Sequence, residues 1–321
     1  MRYRLERHVD GRTLERTFAD DVRRGLTGAV KSLPPKYFYD AAGSALFEAI
    51  TALPEYYVTR AETELLAASA ADVMRIVRPG EIVELGAGGS TKVAHLIAAH
   101  RGNGLRYVPL DVDASALGAG ARRLLGTYPF LDVHAVVGDF ERHLDRVPPS
   151  PSRRLVIFLG STIGNLDEEA RHGLLCRVRR LLGDRDRLLL GVDLVKDLSV
   201  LEPAYADAQG VTAEFNRNIL HVLNRRLAAT FDPRAFRHVA FYNQAAARIE
   251  MHLVADHAQR VTLPRLGLTV NIAAGESIWT ESSYKFTAAS TAAMLADAGL
   301  ILERWYTDPA QQVALALASV G

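Results

Sequence analysis

The chain has 321 residues, about two domains at roughly 150 residues each. Its 49% hydrophobic and 23% charged content is that of a soluble globular protein able to bury a large core. Lysine and arginine number 38 against 37 acids, a net charge of +1 that gives nucleic acid or an anionic membrane no electrostatic hold, and the single cysteine, Cys176, excludes an internal disulfide framework or a thiolate metal cluster.

The first residues, Met1-Arg2-Tyr3-Arg4-Leu5-Glu6-Arg7-His8, alternate charge with apolar side chains and lack the continuous apolar core of a signal peptide. No stretch reaches the roughly 18 apolar residues of a membrane span, so the expected setting is the cytoplasm. Thr59 and Glu62 have the spacing of a capping box, and Leu65, Leu66, Val73, Ile76 and Val77 continue an apolar helical face until Pro79-Gly80 stops it. A strand is predicted over 81–85, then a glycine-rich turn and a helix over 90–100. Apolar runs at 107–110, 133–137, 155–159 and 188–192 each end in small or polar residues, the pattern of a parallel sheet covered on both faces. Such sheets bind ligands at the carboxyl ends of their strands, and Gly86, Asp111, Asp139 and Asn165 all fall on or near that rim. Cys176 lies in an apolar helical pattern and reads as core filler.

Beyond Lys196 the texture changes. Residues 211–228 read as a helix, and alternating segments such as 248–253 and 268–272 look antiparallel, the mark of an inserted domain. A helix over 287–299 ends at Gly299, and strands over 301–306 and 313–320 are joined by too short a turn to pair in parallel. The expected fold is α/β: a Rossmann-like class I methyltransferase sheet, mostly parallel with an antiparallel last strand, plus an inserted α+β substrate-binding domain. On this division 59–195 with 287–321 form the methyltransferase domain and 1–58 with 196–286 the substrate-binding domain. The ten histidines are scattered, and the pairs His95/His100 and His252/His257 miss the i, i+4 spacing that aims two rings at one ion, so no metal is expected.

Glu84-Leu85-Gly86-Ala87-Gly88-Gly89-Ser90 sits where strand meets helix, and its glycines permit positive φ and close approach of a ligand. Thr91 stands where a dinucleotide fingerprint needs its third glycine, which favours the E-x-G-x-G turn of S-adenosylmethionine enzymes over a pyrophosphate site. Asp111, 27 residues after Glu84, is placed to accept two hydrogen bonds from a ribose diol. Asp139 is placed to receive an adenine amine, with Phe140 to cover the ring. Lys92, just after the turn, reads equally as a ligand for the cofactor's carboxylate or as a solvent-facing helix lysine.

Longer motifs carry a more specific signal: Lys31-Ser32-Leu33-Pro34-Pro35-Lys36-Tyr37-Phe38-Tyr39-Asp40, Leu53-Pro54-Glu55-Tyr56-Tyr57, Phe158-Leu159-Gly160-Ser161-Thr162-Ile163-Gly164-Asn165-Leu166, Phe215-Asn216-Arg217-Asn218 and Arg248-Ile249-Glu250-Met251. Together they resemble the histidine Nα-methyltransferases of ergothioneine biosynthesis, from about residue 20 to the C-terminus. The resemblance implies transfer of three methyl groups from S-adenosylmethionine to the α-amino nitrogen of L-histidine, giving hercynine and S-adenosylhomocysteine. It also implies cofactor contacts at Gly86, Lys92, Asp111, Asp139 and Phe140, with Tyr56 bridging the cofactor and substrate pockets. For histidine it implies Asn165 and Tyr205 at the α-carboxylate, Gly160 and Tyr39 near the amine, Glu281 with Ser283 at the imidazole, and Met251 and Thr162 completing the wall. Phe47 and Tyr39 are expected to face the growing ammonium.

Bland alternatives stand beside these roles. Asn165 has the position of a helix cap, Glu281 that of a solvated strand residue, and Met251 that of core. The chain also departs from the family pattern: Tyr284 replaces a cysteine in Glu281-Ser282-Ser283-Tyr284-Lys285-Phe286, His252 stands where tryptophan is common, and Gly89 and Thr91 alter the cofactor turn. Competing functions are a methyltransferase for another amino acid or small amine and a non-catalytic S-adenosylmethionine sensor. A monomer is expected, since no coiled-coil pattern or single-sign docking face appears.

Overall fold

The structure, a computed structural model, describes residues 2–150 and 152–321. It divides into two compact units: Met1–Asp10, Val58–Leu194 and Phe286–Gly321 form the first, Gly11–Tyr57 and Val195–Lys285 the second. None of the described helices is long and apolar enough to cross a membrane.

The first unit is built on an eight-stranded sheet. From one edge its strands are Tyr3–Arg7, Leu131–Val137, Leu105–Asp111, Glu81–Leu85, Arg154–Phe158, Arg187–Asp193, Val313–Val320 and Leu300–Thr307. The first six pair in parallel, while Val313–Val320 runs antiparallel to both its neighbours. The continuous apolar runs follow from burial on both faces; every residue of Glu81–Leu85 and Arg154–Phe158 is buried. Two charges inside those strands are tolerated because they pair: Arg154 Nε donates to Glu81 Oε1 at 2.6 Å, and Arg106 reaches the other Glu81 oxygen. The chain leaves Glu81–Leu85 toward one side of the sheet and returns through Arg154–Phe158 on the other, the switch point at which such folds hold ligands.

Four expectations fail here, each for a local reason. The charged opening segment, expected with the substrate-binding domain, forms the edge strand Tyr3–Arg7, whose Leu5 packs on the cluster of Ala87, Leu117, Ala135 and Val137. No capping box forms at Thr59 and Glu62: the helix Val58–Val77 already includes both, and the Glu62 carboxylate turns inward. The helix after the glycine turn is Val93–Ala98 rather than 90–100, because Ser90 is held at φ +53° and its hydroxyl is engaged by Tyr107 at 2.8 Å. Cys176 is half-buried on the helix Glu168–Leu181, its sulfur 3.5 Å from His172, rather than in the core.

The second unit carries a four-stranded sheet, in the order Lys31–Ser32, Ser277–Tyr284, Arg248–Ala255, Phe236–Asn243, and a separate hairpin of Gln259–Leu263 and Leu268–Ile272. The helices Gly11–Thr27, Ala41–Thr51 and Val211–Leu227 belong to it. One irregularity decides its chemistry. Trp279 pairs with His252, but the next paired residue, Glu281, sits opposite Met251, so the register slips at Thr280. Residues two apart in a strand normally share a face; this bulge turns Trp279 and Glu281 to opposite faces. Thr280 holds the kink by donating to the Met251 carbonyl at 3.0 Å.

Candidate active site

In the first unit the cofactor residues predicted from the sequence converge on the carboxyl rim. Gly86 and Gly88 adopt φ +65° and +45°, as the turn requires. A Cβ at Gly88 or Gly89 would meet nothing within 4 Å, so the outer side of the turn is open to a ligand. Asp111 Oδ2 accepts from the Gly88 amide at 2.9 Å and Oδ1 from the Asp113 amide at 2.9 Å. Each oxygen keeps a second lone pair, which is what a ribose diol needs. Burial pushes the Asp111 carboxyl above its ordinary value, with these amides pulling the other way. Phe140 lies at the turn, with Cε1 3.6 Å from where a Gly86 Cβ would be, and packs on Phe158 at 5.2 Å between centroids. Asp139 stands beside it, Oδ1 accepting from the Glu141 amide at 2.8 Å. These acceptors therefore fit a nucleoside bearing a diol and an amine.

Lys92 is half-buried and paired with Glu62, so the reading as a solvent-facing lysine falls. Glu62 also accepts the Gly160 amide on both oxygens, at 2.7 and 2.8 Å. It thereby fixes the turn in which Gly160 (φ +79°) and Ser161 (φ +55°) are both left-handed. Thr162 opens the short 3-10 turn Thr162–Asn165, its hydroxyl donating to the Leu159 carbonyl at 3.0 Å. Asn165 ends that turn and does not cap the next helix: Asp167 does, accepting the Ala170 amide at 2.8 Å. Glu62 was missed as a site residue because its spacing imitates a helix cap.

In the second unit the aromatic residues form a run. Tyr39 lies 5.6 Å from Phe47 and 5.5 Å from Phe215, Phe47 lies 6.1 Å from Tyr56, and Tyr56 lies 6.5 Å from Tyr205. Phe215 joins this wall unpredicted. The rest of its motif explains the wall's position. Asn218 Nδ2 donates to the Phe38 carbonyl at 3.1 Å and to Asp40 Oδ1 at 2.8 Å, which anchors both neighbours of Tyr39. Asn216 donates to His238 Nδ1 at 2.9 Å, and His238 Nε2 donates to the Tyr205 carbonyl at 2.8 Å. That pair of bonds requires a neutral imidazole protonated on Nε2, in keeping with burial, which lowers the pKa of His238.

Glu281 and Ser283 share the inner face of the sheet with Met251, which is 1% exposed, and Ile249. Burial pushes the Glu281 carboxyl up to about 7, and the Lys285 ammonium opposes the shift. Glu281 is therefore no ordinary solvated strand residue. Tyr39 is 48% exposed as a residue, yet its hydroxyl sits in a desolvated neighbourhood near Glu281 and Tyr205, which raises its pKa above 10 and keeps it protonated at neutral pH. The two departures from the family pattern that fall in this sheet, Tyr284 and His252, lie on the outer face. Tyr284 accepts from Arg248 at 2.6 Å, and His252 stacks between Phe241 and Trp279.

The family model described as histidine-specific methyltransferase, SAM-dependent, matches residues 18–320. The chain belongs to that family. It is 51% identical over 301 residues to the histidine N-alpha-methyltransferase of Mycobacterium tuberculosis, covering 93% of this chain and 94% of that protein. It is 50% identical over 300 residues to the enzyme of the same name from Mycolicibacterium smegmatis, covering 93% of each. The ergothioneine biosynthesis protein 1 of Neurospora crassa is 30% identical over 232 residues, covering 66% of this chain and 26% of that protein.

In this S-adenosylmethionine-dependent methyltransferase one further buried acid lies under the cofactor turn. Burial pushes Glu84 up to about 8, with the Tyr107 hydroxyl among its partners. A phenol has one proton, so Tyr107 cannot donate to both Glu84 and Ser90; a protonated Glu84 donating to Tyr107, which donates to Ser90, satisfies the chain. The folded state then holds a proton between about pH 4.5 and 8 that the unfolded state has lost, and stability falls as pH rises through that window. Glu84→Gln is expected to flatten the loss of Tm across it in thermal melts; an unchanged slope would remove Glu84 from the account.

Proposed function

We propose that the protein transfers three methyl groups in succession from S-adenosylmethionine to the α-amino nitrogen of L-histidine, giving hercynine on the route to ergothioneine. The observation that carries this reading is the bulge at Thr280, which turns Glu281 and Ser283 to the face of Met251 and leaves Tyr284 and His252 on the other side. The residue types expected at an imidazole are thus together, and the departures stand away from them. The relatives named for histidine Nα-methylation and ergothioneine biosynthesis support the same conclusion.

The bound cofactor supplies a methyl carbon activated by a sulfonium. Gly86, Asp111, Asp139 and Phe140 are the residues to hold its nucleoside, and Lys92 its carboxylate. The amine must arrive neutral with its lone pair in line with the methyl carbon, so the protein's task is orientation at about 3 Å. Asn165 and Tyr205 take the histidine carboxylate, Gly160 and Tyr39 lie near the amine, and Glu281 and Ser283 take the imidazole, with Met251 and Thr162 completing the wall. The first two transfers each release a proton to solvent, and Tyr39, which stays protonated, relays it by accepting from the ammonium as its own O–H proton passes on to water. As methyls accumulate the nitrogen loses its donors, and the rings of Tyr39 and Phe47 hold the ammonium through cation–π attraction of about 0.5–2 kcal/mol. The single cysteine fits a reducing cytoplasm, and the balanced charge fits a monomer.

The test is mass spectrometry of the protein incubated with S-adenosylmethionine and an equimolar mixture of the standard amino acids. Histidine alone should gain three methyl groups. Methylation of another amino acid would overturn the substrate assignment, and cofactor binding without methylation would favour a sensor.

A further inference from the structure

Glu62 takes no ligand itself, yet its carboxylate joins two groups that do. It is 1% exposed on the helix Val58–Val77. The Lys92 ammonium donates to its Oε2, and the Gly160 amide donates to both oxygens, at 2.7 and 2.8 Å. Lys92 and Gly160 are themselves close: a Cβ at Gly160 would stand 3.8 Å from the Lys92 Nζ. The sheet makes room for the acid. Gly191 interrupts the strand Arg187–Asp193, where a Cβ would collide with Glu62 Oε1 and stand 3.2 Å from its Cδ. A glycine among the buried Leu188, Leu189, Leu190 and Val192 weakens a strand interior, and the space it leaves is filled by this carboxylate.

The chemistry between the two neighbours is strict. Both are donors, so the group between them must accept on both sides, which a carboxylate does and a carboxamide does not. Taken out of water, the anion also needs the ammonium to balance its charge. We propose that Glu62 is a positioning residue that ties the cofactor's carboxylate to the substrate's amine: it aims Lys92 at the first and sets the Gly160 turn beside the second.

This rests on the reading that Lys92 meets the cofactor's carboxylate and that Gly160 lies near the histidine amine. A change at either end is then felt at the other.

Calorimetric titration of S-adenosylhomocysteine, and of histidine at saturating S-adenosylhomocysteine, into wild type and three variants reads both ends. Glu62→Gln sets an amide donor against one of two donors, and Kd should rise about 10-fold or more for both ligands. Lys92→Met strands the buried carboxylate, so histidine Kd should rise too, although Lys92 belongs to the cofactor end. Combining the two substitutions removes the misfit, because the glutamine oxygen accepts Gly160 and its NH2 no longer opposes an ammonium. Histidine Kd should then return to within about threefold of wild type while S-adenosylhomocysteine stays weak. Packing alone predicts the opposite, a double variant weaker than either single one for both ligands. Unchanged histidine binding in Lys92→Met, or weaker histidine binding in the double variant than in Lys92→Met, would overturn the role of Glu62. Should Lys92→Met not fold, Glu62→Gln decides: weakening of both ligands supports the role, and weakening of one or neither overturns it. A wild type that binds S-adenosylhomocysteine but not histidine would overturn the histidine reading instead, and the tie between Glu62 and Lys92 is then read from S-adenosylhomocysteine alone.

Discussion

Glu281→Ala is expected to lower kcat/KM for histidine about 10- to 150-fold while leaving S-adenosylmethionine binding intact. The size follows from the bond lost: a hydrogen bond to a charged group contributes about 1.5–3 kcal/mol, and an imidazole N–H left without its acceptor forfeits that much discrimination. The effect depends on where the side chain points. Without the register slip at Thr280, Glu281 would share the outer face with Trp279 and its loss would be a surface change within about 0.5 kcal/mol. The carboxyl pKa, lifted by burial to about 7, adds a second signature. Below that pH the group gains a proton and loses its pull on an imidazole N–H, so wild-type efficiency should fall as pH drops through about 7, and the alanine variant should lack that limb. Steady-state kinetics across pH decides it. An unchanged histidine efficiency in Glu281→Ala would remove the residue from the imidazole site.

Asp111→Ala is expected to weaken S-adenosylmethionine binding about 100-fold or more. The carboxylate does two jobs at once. It accepts the Gly88 and Asp113 amides, which holds the glycine turn against the next strand end, and it retains lone pairs for a diol. Alanine removes both, leaving two amides to find water and the cofactor's hydroxyls without their acceptor, at about 1.5–3 kcal/mol for each charged bond and less than additively. Asp111→Asn should fall between the two, because an amide supplies one acceptor and turns a donor toward the other backbone N–H. Calorimetric titration of the cofactor is the measurement; wild-type affinity in Asp111→Ala would contradict the assignment.

Much of the first unit was legible because its signals are local. Apolar runs long enough to cross a buried sheet, each closed by a glycine or an acid, put Gly86, Asp111 and Asp139 on one rim, and all three positions lie there. The closing antiparallel strand followed from the shortness of the turn before it. What stayed hidden depends on distant partners. Tyr3–Arg7 carries its charges because it is an edge strand, and nothing within the segment names Leu131–Val137 as its partner. Glu62 has the spacing of a helix cap, and only the fold brings Gly160 to it. Nothing around Lys285 in the sequence names Tyr205, eighty residues away, as its partner. Phe215, Asn216 and Asn218 were visible as a motif, but the motif does not say that one ring lines a wall while two amides anchor the segments of Tyr39 and Tyr205. The bulge is the sharpest case. A strict alternation places Trp279 and Glu281 together, and the one extra residue that separates them leaves no mark in composition or period.

The most direct test of the account is where the methyl groups go. Reaction of the protein with L-histidine and S-adenosylmethionine carrying a 13C-labelled methyl group, followed by carbon-detected NMR, reports both the nitrogen attacked and the number of transfers. Trimethylation of the α-amine gives one final labelled signal, from a trimethylammonium group on the histidine α-carbon, with the ring nitrogens unlabelled. Label on an imidazole nitrogen, or a product that stops at one methyl group, would contradict it.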